Sequence, residues 1–150
     1  MRIRTALPAD APRMAELSAV LGYPASAMSL AERLERLLGR SQEAVLVAEV
    51  PSNLVVGWVH GSEQELLEAG RRCEILGLVV DPEHRTRGVG RGLVGELERW
   101  AASRGLDLMS VRSNVVRVES HPFYERLGYA RTKTQHAYRK HIACDELSTR

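Results

Sequence analysis

The chain has 150 residues, of which 44% are hydrophobic and 27% are charged, a balance that is typical of a globular protein. A chain of this length forms one domain that buries roughly 70% of its unfolded surface. Its formal net charge is +2, from 21 basic and 19 acidic residues, and this near balance argues against nucleic acid as the main partner.

Signals for export, membrane insertion and disulfide formation are not found in the sequence. The N-terminal stretch MRIRTALPAD has no apolar core of a secretion signal, and no apolar run is long enough to span a membrane. The two cysteines, Cys73 and Cys144, suggest neither a disulfide framework nor a metal pair. We therefore expect a cytoplasmic protein with no membrane partner and no metal, a single domain over residues 1–150 with a flexible tail at 143–150.

The first quarter of the chain predicts one strand and two helices. Residues 2–6 alternate as a short strand, and a pattern of apolar residues at helical spacing then ends at Gly22. A capping box at Ser29–Glu32 predicts the start of a second helix, which ends at Gly39.

A hairpin is predicted next, from strand patterns at 44–50 and 54–61 joined by a short polar turn. Trp58 and His60 share one face of the second strand because side chains alternate with period two. Either could face a substrate, although a strand Trp is more often a core residue and a strand His is more often a polar edge residue. Residues 63–70 are polar and predict a loop or a helical turn.

The central stretch combines a buried strand with a glycine-rich turn. An apolar run at 75–80 is followed by Arg85 and Arg87, and Gly88 and Gly90 then open a helical pattern. The first N–H groups of a helix are unpaired, and its N-terminus carries partial positive charge, so this arrangement predicts an anion site, most simply for phosphate.

Other phosphate loops and a simple turn compete with this interpretation. The GxxxxGK[ST] loop of nucleotide triphosphatases is missing, and Leu93 stands where the GxGxxG dinucleotide fingerprint needs its third glycine. Asp107 lies at the start of the next strand pattern rather than at its end, where a ribose-binding acid would be expected. An ordinary strand-to-helix turn would also contain glycines.

After the central helix, which ends at Gly105, the sequence predicts three more strands and a short helix. The strands fall at 106–112, 129–132 and 136–142, and the helix at 123–127. This element order predicts an α/β (α+β) fold with a mixed sheet of about six to seven strands and helices on both faces.

A second motif removes the ambiguity of the first. Asn114 follows Ser113, and after Arg117 the chain reads FYERLGY from Phe123 to Tyr129. The two motifs together resemble the pyrophosphate loop and the C-terminal signature of the GNAT N-acetyltransferase superfamily, in particular its small-molecule, aminoglycoside N-acetyltransferase-like branch. The resemblance implies the GNAT fold, in which the two central parallel strands splay apart and the pantetheine arm of acetyl-CoA occupies the gap.

The resemblance also implies roles for individual residues. Tyr124 would act as the general acid for the leaving thiolate and Glu74 as a base that reaches the amine through water, while a backbone N–H of Leu78 or Val79 would stabilise the oxyanion. Gly77 is expected to mark a bulge at the splay. The residues implied to bind acetyl-CoA are Leu78, Val79, Val80, Arg85, Arg87, Gly88, Val89, Gly90, Arg91, Asn114 and Tyr124.

The implied activity is transfer of the acetyl group of acetyl-CoA to a primary amine by direct attack in a ternary complex. A small-molecule amine is the expected acceptor. The alternatives are acetylation of protein or peptide amines and a non-catalytic acyl-CoA sensor, which would bind the thioester without turnover. The resemblance further implies a possible homodimer.

Overall fold

The computed structural model describes residues 1–20, 22–112 and 120–144. The chain divides into two compact units, Met1–Arg112 and Ser113–Arg150. In the first unit the strands are β1 (Arg2–Thr5), β2 (Glu43–Val50), β3 (Leu54–Leu66), β4 (Gly70–Val80) and β5 (Met109–Val111). Its α-helices are α1 (Ala11–Val20), α2 (Ala27–Leu38) and α3 (Val89–Ser103), and the second unit contains α4 (Ser120–Arg126).

The first unit is built on one mixed sheet with helices on both faces. The five described strands lie in the order β1-β2-β3-β4-β5; the first four are antiparallel neighbours, and β5 runs parallel to β4. The predicted fold class is therefore confirmed, although the number of described strands is smaller than the six to seven expected.

The missing strands are those predicted at 129–132 and 136–142. Within the described residues of the second unit, the chain after α4 forms no strand. A pair of strands needs a buried apolar face to be stable in water, and here Tyr138 is 91% and Ile142 82% exposed. The predicted final hairpin is therefore wrong, and two of the apolar side chains expected to stabilise it are exposed.

Each face of the sheet has its own core. On one face, Val45, Val47 and Val79 pack with Met14 and Leu17 of α1 and with Leu34 of α2. On the other face, α3 lies so close to β3 that glycine is needed beneath it. A Cβ added at Gly61 would lie 2.5 Å from Leu97 Cδ1, and one at Gly57 would lie 3.0 Å from Val89 Cγ1.

Two predicted boundaries are wrong for identifiable reasons. α2 begins three residues earlier than the capping box suggested, because the Oγ of Ser26 accepts a hydrogen bond from the Ser29 amide and caps the helix there. Residues 63–70 extend the β3–β4 hairpin instead of forming a loop. Glu65 pairs in register with Arg71, and Glu63 forms ion pairs with Arg71 and Arg104, so the polar side chains there stabilise a strand pair.

Candidate active site

The parallel pair of β4 and β5, at one edge of the described sheet, is short. β4 and β5 pair only through Cys73↔Met109, Glu74↔Ser110 and Ile75↔Val111. Beyond this point, Leu76–Val80 has no partner in β5 among the described residues. An unpaired strand edge offers N–H and C=O groups to an extended ligand, which can add to it as a further strand.

A bulge decides which residues of β4 face this open edge. The β3–β4 register jumps between Gly77 and Ile75, leaving Leu76 without a partner in β3, so the bulge expected beside Gly77 is present. The amide of Cys73 donates to Leu108 O on the β5 side (2.9 Å), whereas that of Asp81 donates to Val56 O in β3 (2.8 Å).

The main-chain N–H and C=O groups of successive residues in a strand point to opposite sides. The direction of these groups at each residue after the bulge therefore follows from that at Asp81. Counting back, the main-chain groups of Val79 point to β3, and those of Leu78 and Val80 point to the open edge. Of the three β4 residues implied to bind acetyl-CoA, two therefore offer amides to a ligand at that edge. Of the two oxyanion donors considered, only the amide of Leu78 faces the same way.

The glycine-rich turn follows directly. After a 3₁₀ turn at Pro82–His84, the chain reaches Gly88, which caps α3 with φ 80° and ψ 9°. Thr86 also has a positive φ, of 66°. Because Gly88 lacks a Cβ, this left-handed conformation costs it little. The turn thus leads the chain into α3 with the helix N-terminus exposed.

The amides of this turn have no partner in the part of the chain that the structure describes. From Arg85 to Arg91, no main-chain N–H donates to an acceptor within the described residues, and the first helical bond of α3 is Gly92 N to Gly88 O (2.9 Å). The guanidinium-bearing side chains of Arg85, Arg87 and Arg91 are exposed. A row of free N–H groups at a helix N-terminus beside three cations is suited to a polyphosphate.

Two of the residues assigned to this site can offer a ligand only their backbone. Val89 is only 3% exposed, since its side chain packs toward Gly57, so only its amide is available to a ligand. Gly90 has no side chain, and its position in the first turn of α3 leaves its N–H free.

An ion pair that sequence reasoning missed fixes the start of the turn. Arg13 of α1 donates from Nε to Val55 O (2.9 Å) and from Nη2 to Asp81 Oδ2 (3.1 Å). Asp81 also caps the 3₁₀ turn by accepting from the Glu83 amide, and this bond, with the nearby charges of Arg13 and His84, lowers the pKa of Asp81. The Asp-Pro dipeptide after the strand was a sequence signal for the cap. No sequence signal indicated that Arg13 of α1 pairs with Asp81.

The sheet face toward α1 and α2 carries a row of polar residues across four strands. Residues paired in register point to the same face, which places Glu43, Ser62, Glu74 and Ser110 in one row. Glu74 accepts from Ser110 Oγ (3.3 Å) and lies 4.0 Å from Arg112 Nε. The carboxylate implied as a base is thus half-buried and already has two partners.

Glu43 was not singled out from the sequence, yet it organises the neighbouring part of this face. Its Oε1 lies 2.8 Å from His60 Nε2, and its Oε2 accepts from Ser62 Oγ at 2.5 Å. Trp58 lies on the same face, and its ring approaches to 2.9 Å from the position of a Cβ at Gly77. The indole Nε1 of Trp58 is buried without a hydrogen-bond partner in the described chain.

Tyr124 lies in the second unit, on α4. Its ring makes edge contacts with Phe123 (5.0 Å between centroids) and Tyr129 (5.8 Å), and burial raises the pKa of its hydroxyl. A phenol with a raised pKa keeps its proton at neutral pH and acts as a hydrogen-bond donor. Asn114 lies outside the described residues.

Two alternative kinds of chemistry find no support in the described residues. Burial raises the pKa of the Cys73 thiol to about 11, so it is a poor nucleophile at neutral pH. Across residues 1–20, 22–112 and 120–144, no three His, Cys, Asp or Glu side chains are grouped as metal ligands.

Among the described helices, none has the length and apolar character that crossing a bilayer requires.

Comparison with known proteins assigns this arrangement to a family. The model of the acetyltransferase (GNAT) family matches residues 12–129. An aminoglycoside N(6')-acetyltransferase type 1 of Stenotrophomonas maltophilia is 27% identical over 135 residues, which cover 87% of each chain. The chain therefore belongs to the GNAT family, and it is an acetyl-CoA-dependent N-acetyltransferase.

Solved structures share the fold. The aminoglycoside N-acetyltransferase AAC(6')-Iy in complex with CoA matches with a TM-score of 0.84 at 20% identity, covering 94% of this chain and 95% of that one. The apo aminoglycoside 6'-N-acetyltransferase of Acinetobacter haemolyticus matches with a TM-score of 0.82 at 22% identity, covering 95% and 100%.

Proposed function

We propose that the chain transfers the acetyl group of acetyl-CoA to a primary amine of a small molecule, by direct attack in a ternary complex. The observation that supports this best is the continuity of main-chain groups that have no partner among the described residues, from the open edge of β4 into the turn at 85–91. An extended amide-bearing arm that ends in a diphosphate matches that sequence of donors.

In this proposal the pantetheine arm pairs with the main chain of Leu78 and Val80, while Val79 supports the edge from within the β3–β4 ladder. The diphosphate lies on the amides and guanidinium groups between Arg85 and Arg91, and Asn114 binds the arm. The Leu78 amide stabilises the negative charge that develops on the thioester oxygen during attack.

The remaining tasks are proton transfers. We assign Tyr124 to the leaving thiolate: its protonated hydroxyl donates as the C–S bond breaks. We assign Glu74 to the acceptor side, where its carboxylate attracts the ammonium form of the amine. The proton of the amine can then pass to Glu74 itself or to another group on the same face.

The acidic character of that face favours a cationic acceptor. Glu43 and Glu74 are both half-buried in one row, and a carboxylate in such a position is best matched by an ammonium group. Since the relatives are called aminoglycoside N-acetyltransferases, an aminoglycoside amine is the first acceptor to assay. A cytoplasmic location and a homodimer stay predictions.

The experiment is CoA release by the purified chain with acetyl-CoA and a panel of aminoglycosides, polyamines and lysine-containing peptides. Saturable release with a small cationic amine is expected. Release with peptides alone would overturn the small-molecule assignment. Tight acetyl-CoA binding without release for any amine would identify an acyl-CoA sensor instead.

A further inference from the structure

His60 and Glu43 form a pair of titratable side chains on the α1/α2 face of the sheet, and the function proposed above gives His60 no role. The His60 Nε2 and Glu43 Oε1 atoms lie 2.8 Å apart. Both side chains are mostly buried, since 19% of the His60 side chain and 13% of the Glu43 side chain are exposed. A hydrogen bond of this length between partly desolvated groups fixes the imidazole in one orientation.

The contact also fixes the tautomer of His60. Glu43 accepts from Ser62 Oγ with its other oxygen, and an ionised carboxylate is an acceptor only. The hydrogen on His60 therefore resides on Nε2, where it is donated to Glu43. Nδ1 is left with a lone pair that can accept a proton. A carboxylate holding one ring nitrogen so that the other can act as a base is the arrangement seen in catalytic triads.

The location of His60 relates it to the open edge of β4. In the sheet register His60 is opposite Gly77, which directly precedes Leu78, the residue whose amide faces that edge. Gly77 contributes no side chain to the intervening surface. The charged groups that share this part of the face are Glu43 of β2 and, on β4, Glu74 and Arg72 two residues before it, while α1 and α2 cover the neighbouring core with apolar residues.

We propose that His60, oriented by Glu43, is the group that takes the proton from the acceptor amine; this rests on the proposed N-acetyltransferase function. The ammonium loses a proton to Nδ1, and the free amine attacks the thioester carbon, so that a C–N bond forms and the C–S bond breaks. The thiolate receives its proton from Tyr124 or water. The attacking nitrogen loses its second proton as the amide forms, and this proton restores the donor, while the imidazolium returns the first proton to solvent. Glu74, engaged with Ser110 and Arg112, holds the ammonium rather than deprotonating it.

One test needs no acceptor and so does not depend on the proposed activity. In ¹H–¹⁵N spectra of the wild-type protein at pH 8, His60 should be the Nε2–H tautomer. Glu43→Gln should disturb the tautomer equilibrium, because an amide can also donate. An Nδ1–H tautomer in the wild type would overturn the inference even if the protein acetylates amines.

The second test uses kinetics with whichever amine the wild type turns over. His60→Gln should lower kcat/KM about 10²-fold or more at neutral pH, with unchanged acetyl-CoA affinity and melting temperature. The remaining rate should rise about tenfold per pH unit, since only the fraction of amine that is already neutral reacts. His136→Gln, which changes an exposed histidine, is the matched control and should behave as wild type.

Chemical rescue distinguishes a loss of proton transfer from a purely structural effect of the substitution. Imidazole added to His60→Ala should restore part of kcat and should have no effect on Glu74→Gln. The inference is wrong if His60→Gln keeps the wild-type kcat/KM and pH profile while the kcat/KM of Glu74→Gln falls and rises tenfold per pH unit. In that case Glu74 is the base. If the wild type releases CoA with no amine, the proposed function and this inference fail together.

Discussion

Cys73 and Asp81, near the start and just past the end of β4, send their main-chain amides to opposite neighbours. The amide of Cys73 bonds to Leu108 on the β5 side and that of Asp81 bonds to Val56 in β3, although residues an even number of positions apart in a regular strand point the same way. The extra residue at Leu76 accounts for the reversal. It turns the main chain of Leu78 and Val80 toward the edge where, among the described residues, β5 no longer pairs with β4.

The left-handed glycine at the start of α3 provides a test of the anion site. Gly88→Val should weaken acetyl-CoA binding at least tenfold in calorimetry. A β-branched residue at φ 80° is strained by about 1–2 kcal/mol, and relief of that strain rotates the free amides away from the ligand. No atom lies within 4 Å of the added Cβ, so the backbone strain is the expected cause of the effect.

Gly105 is a matched control for that substitution. It has φ +78° and equally open surroundings, so Gly105→Val should cost a similar amount of stability without affecting acetyl-CoA affinity. Equal affinities for the two variants would remove the turn at 85–91 from the binding site.

The hydroxyl of Tyr124 can be tested by its deletion. Tyr124→Phe keeps the ring contacts with Phe123 and Tyr129 and removes only the donor, so kcat should fall about 10²-fold with little change in KM. Tyr138→Phe is the control, because that side chain is 91% exposed. A Tyr124→Phe enzyme with wild-type kcat would reduce Tyr124 to a packing role.

The pairing of Asp10 with Arg4 predicts how the stability of the fold depends on pH. Arg4 donates to both of its oxygens, at 2.8 and 3.0 Å, and this pairing holds the pKa of the buried Asp10 below its ordinary value. A lowered folded-state pKa stabilises the fold above the unfolded value of about 3.9, and that contribution disappears as pH falls through the folded value.

Asp10→Asn should therefore cost about 1.5–3 kcal/mol of unfolding free energy from pH 5 to 8. In urea titrations the difference from wild type should shrink below about pH 4. Asp107→Asn, at an exposed aspartate, should stay within about 0.5 kcal/mol of wild type throughout. A difference for Asp10→Asn that persists unchanged at pH 2 would contradict this account of the Arg4–Asp10 pair.

Local signals in the sequence predicted the parts of the molecule that depend on local chemistry. Gly88 predicted the turn that enters α3, because a positive φ and a helix N-terminus are properties of a few consecutive residues. The apolar period of α3 and the turn between β2 and β3 were predicted for the same reason.

Features that depend on strand register could not be predicted from the amino-acid sequence. The contact between Glu43 and His60 exists because β2 and β3 pair with one particular offset, and the ion pair of Arg13 with Asp81 joins residues far apart in sequence. The bulge was expected from Gly77, but its effect on the direction of Leu78 follows only from the hydrogen bonds on both sides of β4. The polar run at 63–70 suggested a loop because its cross-strand partners were unknown.

Amide hydrogen exchange, measured by NMR with and without saturating CoA, tests the central claim most directly. The amides of Leu78, Val80 and the turn from Arg87 to Arg91 should exchange rapidly in the free protein and become protected on binding. Those of Gly77 and Val79, which pair with β3, should be protected in both states. Saturation with CoA that leaves exchange unchanged at Leu78, Val80 and the turn would contradict the proposed binding site.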